Sequence, residues 1–275
     1  MIIEPFRKED IAAFLELAGC EGWLVDPWEF DFLLSTFPEG CLCVRDGSSG
    51  NGIGFVTSLR HDRSGWIGNL IVSAHYRGQG IGEALFFMAL QVLHAKGADT
   101  CWLTASKQGQ SLYERYGFNA VDSIIRWTGT GRQRHAEHAP PTGRKFTETE
   151  ADDIDCQAWG DRRNTLLSAT IRRGTLLQQD SGFLVVQPCG ESIQFGPFSS
   201  LDNSTAEHLF DEALQSVSPG TMVFLDVPAS NSTAMRLYKR KRMRISGTTE
   251  LMYEGKIPDY QPKYLFGLAT MGSCG

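Results

Sequence analysis

Apolar residues in the first 128 positions switch repeatedly between two periods. Short continuous or alternating runs at 2–6, 41–45, 53–59, 66–72, 100–105 and 121–127 read as strands, the second and third joined by the turn-rich DGSSGNG. Between them, helices are predicted over about 8–18 and over 27–36, the second ended by PEG. Ile81, Leu85, Met88, Ala89, Val92 and Leu93 then fall on one helical face before the stop signal Lys96-Gly97, and SLYERYGF supplies a short helix after the strand TCWLTAS. Strands interleaved with helices in this way predict an α/β (α+β) fold with a mixed sheet.

Residues 129–147, GTGRQRHAEHAPPTGRKFT, lose this periodicity and collect Gly, Pro, Arg and His, as a linker does. Beyond them the order of elements repeats. SGFLVVQPCG stands for NGIGFVTSL, ESIQFGPF for GWIGNLIV, and STAEHLFDEALQSV for the long helix. TMVFLDVPAS stands for TCWLTAS, and NSTAMRLYKRKRM for the short helix, each copy with Leu-Tyr late in that helix. The chain is therefore expected to hold two tandem domains, 1–128 and 148–275, around the 129–147 linker.

Composition narrows the function classes. With 275 residues, 41% of them hydrophobic, the chain can bury cores without metals or disulfides. A formal net charge of -6 argues against nucleic acid or an anionic membrane as the main partner. The 7 cysteines are scattered, with no CxxC pair and no histidines at metal spacing, so they read as reduced and mostly core, and no metal is expected. Cys41 and Cys43 would share one strand face. No run approaches the ~18 apolar residues of a membrane span, and the first residues lack a signal-peptide pattern, so a cytoplasmic location is expected.

The stretch VSAHYRGQGIGEALF places Arg77 and three glycines between a strand and a helix. Backbone N–H groups gathered at a helix N-terminus favour an anion, and a phosphate fits there. Two familiar phosphate loops are excluded: there is no GxxxxGK[ST], and the third glycine of GxGxxG would fall on Glu83. A tight turn with no ligand is the alternative from the loop alone.

NLIVSAHYRGQGIGEALF, followed about 30 residues later by SLYERYGF, resembles the GNAT superfamily of acyl-CoA-dependent N-acyltransferases over residues 1–128. Arg77, Gly80 and Gly82 meet the family's Arg/Gln-x-x-Gly-x-Gly/Ala pattern. The resemblance implies a twisted, mostly antiparallel sheet with flanking helices, a CoA pyrophosphate held by Arg77, Gly78, Gln79, Gly80, Ile81 and Gly82, and a pantetheine arm along Leu70, Ile71 and Val72. It further implies that Tyr113 protonates the departing thiolate, with Tyr116 in a packing role, and that Ser106 stands where many members carry a CoA-contacting Asn. A phenol held within reach of the sulfur is a suitable donor.

No base is evident. The motif strand supplies Asn69 and no acid; Asp26, Glu29, Asp31, His61 and Asp62 read as solvated surface residues, and Trp23 and Trp28 as core. In the second copy the Arg-x-x-Gly-x-Gly pattern is absent and Asp202 stands where phosphate would need donors, although Asn231 lies seven residues before Tyr238 and Arg242-Met243 replaces the usual Gly-Phe. This half resembles a degenerate GNAT domain, one that completes the acceptor cleft, rigidifies the first domain or forms a homodimer surface.

Transfer of an acetyl group from acetyl-CoA to a primary amine of a small molecule or peptide is the expected activity. A non-catalytic acyl-CoA-binding module and a tandem-GNAT ligase or aminoacyl transferase are the alternatives.

Overall fold

The computed structural model describes residues 2–133, 148–179, 181–270 and 272–275. The first half runs β1 (Ile3–Pro5), α1 (Ile11–Cys20), α2 (Pro27–Thr36), β2 (Leu42–Arg45), β3 (Gly52–Arg60), β4 (Ser64–Val72), α3 (Ile81–Ala95), β5 (Thr100–Ala105), α4 (Gln110–Arg115) and β6 (Asn119–Thr130). The second runs α5 (Glu148–Trp159), α6 (Asn164–Arg173), β7 (Thr175–Gln179), β8 (Gly182–Cys189), β9 (Ser192–Ser200), α7 (Asn203–Ser216), β10 (Met222–Pro228), α8 (Ser232–Arg240), β11 (Arg244–Gly255) and β12 (Leu265–Gly267). The expected repeat is present, α5 and α6 standing for α1 and α2. Strand β6 reaches Thr130, past the start of the linker read from composition, and the rest of that linker from 134 lies outside the described residues.

Local chemistry explains the element bounds. Asp26 caps α2 by accepting from the Trp28 N–H at 2.9 Å, and Pro27 occupies the first turn, where a missing N–H costs nothing. Gly97, at φ 83, ends α3 in the left-handed region. Phe55 on β3 meets Phe6 and Phe14 at ring distances of 5.0 and 5.8 Å, which places α1 and α2 on one face of the first half-sheet. On the other face, a Cβ at Gly54 would lie 2.9 Å from Ile81, so α3 packs there.

The two halves form one sheet rather than two. Strand order is β1-β2-β3-β4-β5-β11-β6-β10-β9-β8-β7, with β12 beside β9. Pairing is antiparallel except for β4 with β5 and β9 with β10. Strand β6 of the first half and strand β11 of the second are exchanged. Strand β11 lies between β5 and β6, pairing Gly255 with Thr100 and Arg244 with Thr128, while β6 pairs along β10 from Thr130↔Met222 to Ile124↔Pro228. Neither half keeps an open edge at the junction, so the exchange removes two edges that would otherwise offer unpaired backbone groups.

A third core lies between the halves. Trp66 and Trp102 of the first pack on Trp159 of the second at 6.0 and 4.9 Å, with Leu251, Leu265 and Leu268 around them. Asp161 accepts from the Ser64 N–H and hydroxyl at 2.8 and 2.7 Å, binding α5–α6 to the start of β4. No helix among the described residues is long and apolar enough to cross a membrane.

Candidate functional site

Strands β4 and β5 pair only at Ser64↔Thr100, Gly65↔Cys101 and Trp66↔Trp102 and then separate. Beyond Trp66, Leu70, Ile71 and Val72 have no partner on β5; on the β3 side Ile71 faces Phe55 and Val72 faces Gly54. The result is a slot between parallel strands that opens toward the loop at 77–82. Within β4, Asn69 and Leu70 stand against the single β3 residue Val56, a bulge in which Asn69 takes φ 54. The Asn69 amide is buried and donates to Thr57 Oγ1 at 3.0 Å.

At the mouth of the slot, Gly78 and Gly80 hold φ 75 and 78, a region open mainly to glycine, and a Cβ on either would meet open space. Gly80 caps α3, whose first turn leaves its N–H groups without intrahelical partners. Gln79 and Gly82 are exposed or half-buried, and Ile81 turns its side chain into the core, so only its backbone faces the loop. Arg77 is committed locally: its Nε donates to the Val72 carbonyl at 2.9 Å and its guanidinium pairs with Glu21 at the end of α1.

Tyr113 is packed against Phe86 of α3 at 4.9 Å, and burial pushes its hydroxyl up to about 12, so it is a protonated donor at neutral pH. Among the described residues the hydroxyl has no hydrogen-bond partner. A Cβ at Gly109 would lie 3.5 Å from that hydroxyl and 3.6 Å from Ser106 Oγ, so the two side chains share one corner. Tyr116 instead donates to Glu83 at 3.1 Å and packs on Phe86 and Phe87.

The candidate acids separate. Asp31 is a surface residue paired with Lys8 at 2.9 Å, and Asp62 is exposed. Glu29 and His61 are not solvated, contrary to the reading of the sequence: both are buried, at 7% and 8% exposure. Burial raises the Glu29 carboxyl to about 7 against the hydrogen bond it receives from Ser273, whereas burial and the Arg163 charge push His61 down to about 3. Trp23, expected in the core, is 40% exposed, while Trp28 stacks on Phe32 at 5.4 Å beneath the Arg173 guanidinium. Pro27, Trp28, Phe30, Phe32 and Leu33 make α2 apolar almost all round, a signal from which the burial of Glu29 was readable.

The last segment of the chain occupies two places that sequence reasoning did not assign. In the second half β9 and β10 also separate after Ile193↔Val223 and Gln194↔Phe224, and β12 fills the gap. Leu265 pairs with Ser199, and the Leu268 N–H donates to the Asp226 carbonyl at 2.8 Å. Asn231 and Tyr238 both bond this segment: Asn231 Nδ2 donates to the Leu265 carbonyl at 2.8 Å, and the Tyr238 hydroxyl donates to the Phe266 carbonyl. The chain then crosses to the first half, where the Gly272 carbonyl accepts from the Asn69 N–H at 2.9 Å.

One further cluster is assembled by the strand exchange. His94, Cys101 and Glu254 place their ligand atoms within 4.8 Å of one another, but His94 and Glu254 are paired directly at 2.9 Å.

Two family models, each described as an acetyltransferase (GNAT) domain, match residues 38–120 and 152–267. The chain belongs to the GNAT acetyltransferase family. It is 31% identical, over 98 residues covering 35% of this chain and 67% of the relative, to the [ribosomal protein bS18]-alanine N-acetyltransferase of Haemophilus influenzae. Among solved structures, a Pyrococcus horikoshii protein assigned as an acetyltransferase matches with a TM-score of 0.84 at 23% identity, covering 99% of this chain and 95% of that one. A GCN5-related N-acetyltransferase from Sphaerobacter thermophilus matches with a TM-score of 0.69 at 19% identity, covering 94% and 98%. The family likeness thus extends over both halves, and the tandem GNAT architecture expected from the repeat is present.

Proposed function

We propose that the first half of this GNAT protein transfers an acetyl group from acetyl-CoA to a primary amine by direct attack, and that the second half binds no CoA. The observation that carries the reading is the slot between β4 and β5, opening onto the glycine loop at 77–82 with a protonated Tyr113 beside it. The residues present suit the co-substrate. Gly78, Gly80 and Gly82 leave room for a pyrophosphate against the first turn of α3, and the unpaired edge of β4 at Leu70, Ile71 and Val72 offers backbone groups to an amide-bearing arm. Arg77 braces the loop through Glu21 and contributes charge at its rim.

When bound, acetyl-CoA supplies an acyl group activated as a thioester. Tyr113 holds the proton that the leaving sulfur needs, and its hydroxyl, without a hydrogen-bond partner among the described residues, is free to give it. Ser106 lies at the same corner and replaces the amide of other members with a hydroxyl. The bS18-alanine relative makes a peptide amino terminus the first acceptor class to try.

The experiment is thiol release from acetyl-CoA in the presence of a panel of peptides with free amino termini, polyamines and single amino acids. Amine-dependent release with matching acetylated product is expected. Binding of acetyl-CoA without release for any amine would favour the non-catalytic module instead.

A further inference from the structure

Glu29 is the one buried carboxyl on the α1–α2 face that makes no ion pair among the described residues. Its neighbours are already balanced. Asp26, at the start of α2, pairs with Arg173 of α6 at 2.7 Å, and Arg126 of β6 pairs with Asp226 of β10 at 2.7 Å. The thiols of Cys189 on β8 and Cys274 face the same group, and burial raises both, Cys189 to about 12, so neither carries charge at neutral pH. Glu29 is left with a hydroxyl: Ser273 donates to its Oε2.

That hydroxyl arrives on a segment fixed at the β4 bulge. The Gly272 carbonyl accepts from the Asn69 N–H, and the path is passable only because Gly68 has no side chain: a Cβ there would lie 2.8 Å from the Ser273 Cα. The segment is closed on itself by paired Thr270 and Gly275 backbone bonds at 3.1 Å and held from below by His61, whose Nε2 lies 3.2 Å from the Cys274 carbonyl. A carboxyl on α2, a hydroxyl from the second half and the kink of β4 beside the slot are thereby joined in one line of contacts.

We propose that Glu29 is the general base of the transfer and that Ser273 positions it, a proposal that rests on the acyltransferase reading above. Glu29 takes one proton from the incoming ammonium and passes it to solvent. The neutral amine forms the C–N bond with the acyl carbon as the C–S bond breaks, the electron pair leaving on sulfur. Tyr113 protonates that sulfur and recovers the second nitrogen proton from the intermediate, so the sum is an amide, a thiol and one released proton. A base that ionises near neutral pH is matched to this task.

The test is the pH profile of kcat/KM for one amine of the panel in wild type, Glu29→Gln, Glu29→Asp and Ser273→Ala, with acetyl-CoA affinity measured on each protein. Activity should rise with pH through a limb near 7 as Glu29 loses its proton. Glu29→Gln should abolish that limb and lower kcat about 100-fold with acetyl-CoA affinity unchanged, and Glu29→Asp should restore a limb. Ser273→Ala should move the limb to higher pH, because the hydroxyl stabilises the charged carboxylate. An active Glu29→Gln with the limb intact would overturn the proposal while leaving the acyltransferase reading standing. Wild type that binds acetyl-CoA and acetylates nothing would sink that reading and the base with it.

Discussion

The slots β4/β5 and β9/β10 are built alike and end differently. In each, two parallel strands pair for two or three residues and separate, the first strand carries a bulge, and a helix with a late Leu-Tyr stands behind the second. The first slot keeps its glycine loop, and its Tyr113 hydroxyl has no hydrogen-bond partner among the described residues. The second has lost the loop and is filled by the chain's own β12, with Tyr238 and Asn231 spent on the carbonyls of Phe266 and Leu265. A polypeptide strand satisfies by backbone bonding what an amide-bearing cofactor arm would satisfy in the other copy. In the second half the gap holds an internal wedge of the chain's own backbone, and the segment continues to Asn69 of the first.

The bulge glycines make the parallel concrete. Gly68 and Gly196 are each the fifth residue of a nine-residue strand, and a side chain on either would collide with the same C-terminal segment, at Gly272 in one case and Leu268 in the other. The segment therefore lies across both kinks, four residues apart.

The largest expected effect separates the two slots at their mouths. Gly82 has an ordinary backbone conformation and room for a Cβ, 3.5 Å from Val72, so Gly82→Glu should fold normally while placing a carboxylate where the pyrophosphate belongs. Acetyl-CoA affinity should fall about 100-fold or more, the equivalent of at least ~2.7 kcal/mol. Asn203→Glu, at the start of α7, should leave it unchanged. Equal losses in the two variants would erase the distinction. Gly80 is the poorer site for this substitution because its φ of 78 would strain any other residue.

The tyrosines give a smaller contrast of opposite kind. Tyr113→Phe should lower kcat by about 10²-fold or more with little change in thermal stability. Tyr238→Phe should leave kcat within about twofold and cost about 1–3 kcal/mol in unfolding free energy, since the Phe266 carbonyl is left buried and unpaired. Denaturant titration and steady-state kinetics on the same samples check both. A Tyr238→Phe protein that loses turnover without losing stability would place the second tyrosine in the chemistry.

Much of this comparison was legible in the sequence, and the reason is local. The span of α2, the loop glycines at 78 and 80 and the repeat of elements follow from caps, backbone freedom and hydrophobic period, each set within a few residues. The strand exchange was not legible, because β6 and β11 read as strands whichever neighbour they take, and the choice of neighbour is made by contacts roughly 90 or more residues apart. Glu29 was misread as a surface acid although the apolar residues around it on α2 signalled burial; what the sequence could not show is its partner, since Ser273 arrives from the other half. Leu265–Gly267 is too short to announce itself, and its place is defined by a gap between two other strands.

Calorimetric titration of the purified protein with acetyl-CoA decides between the two slots, because it counts those that are open. One molecule should bind per chain, and binding should be lost in Gly82→Glu. Two per chain would mean that β12 yields to the cofactor, and none would mean that the first slot is no CoA site.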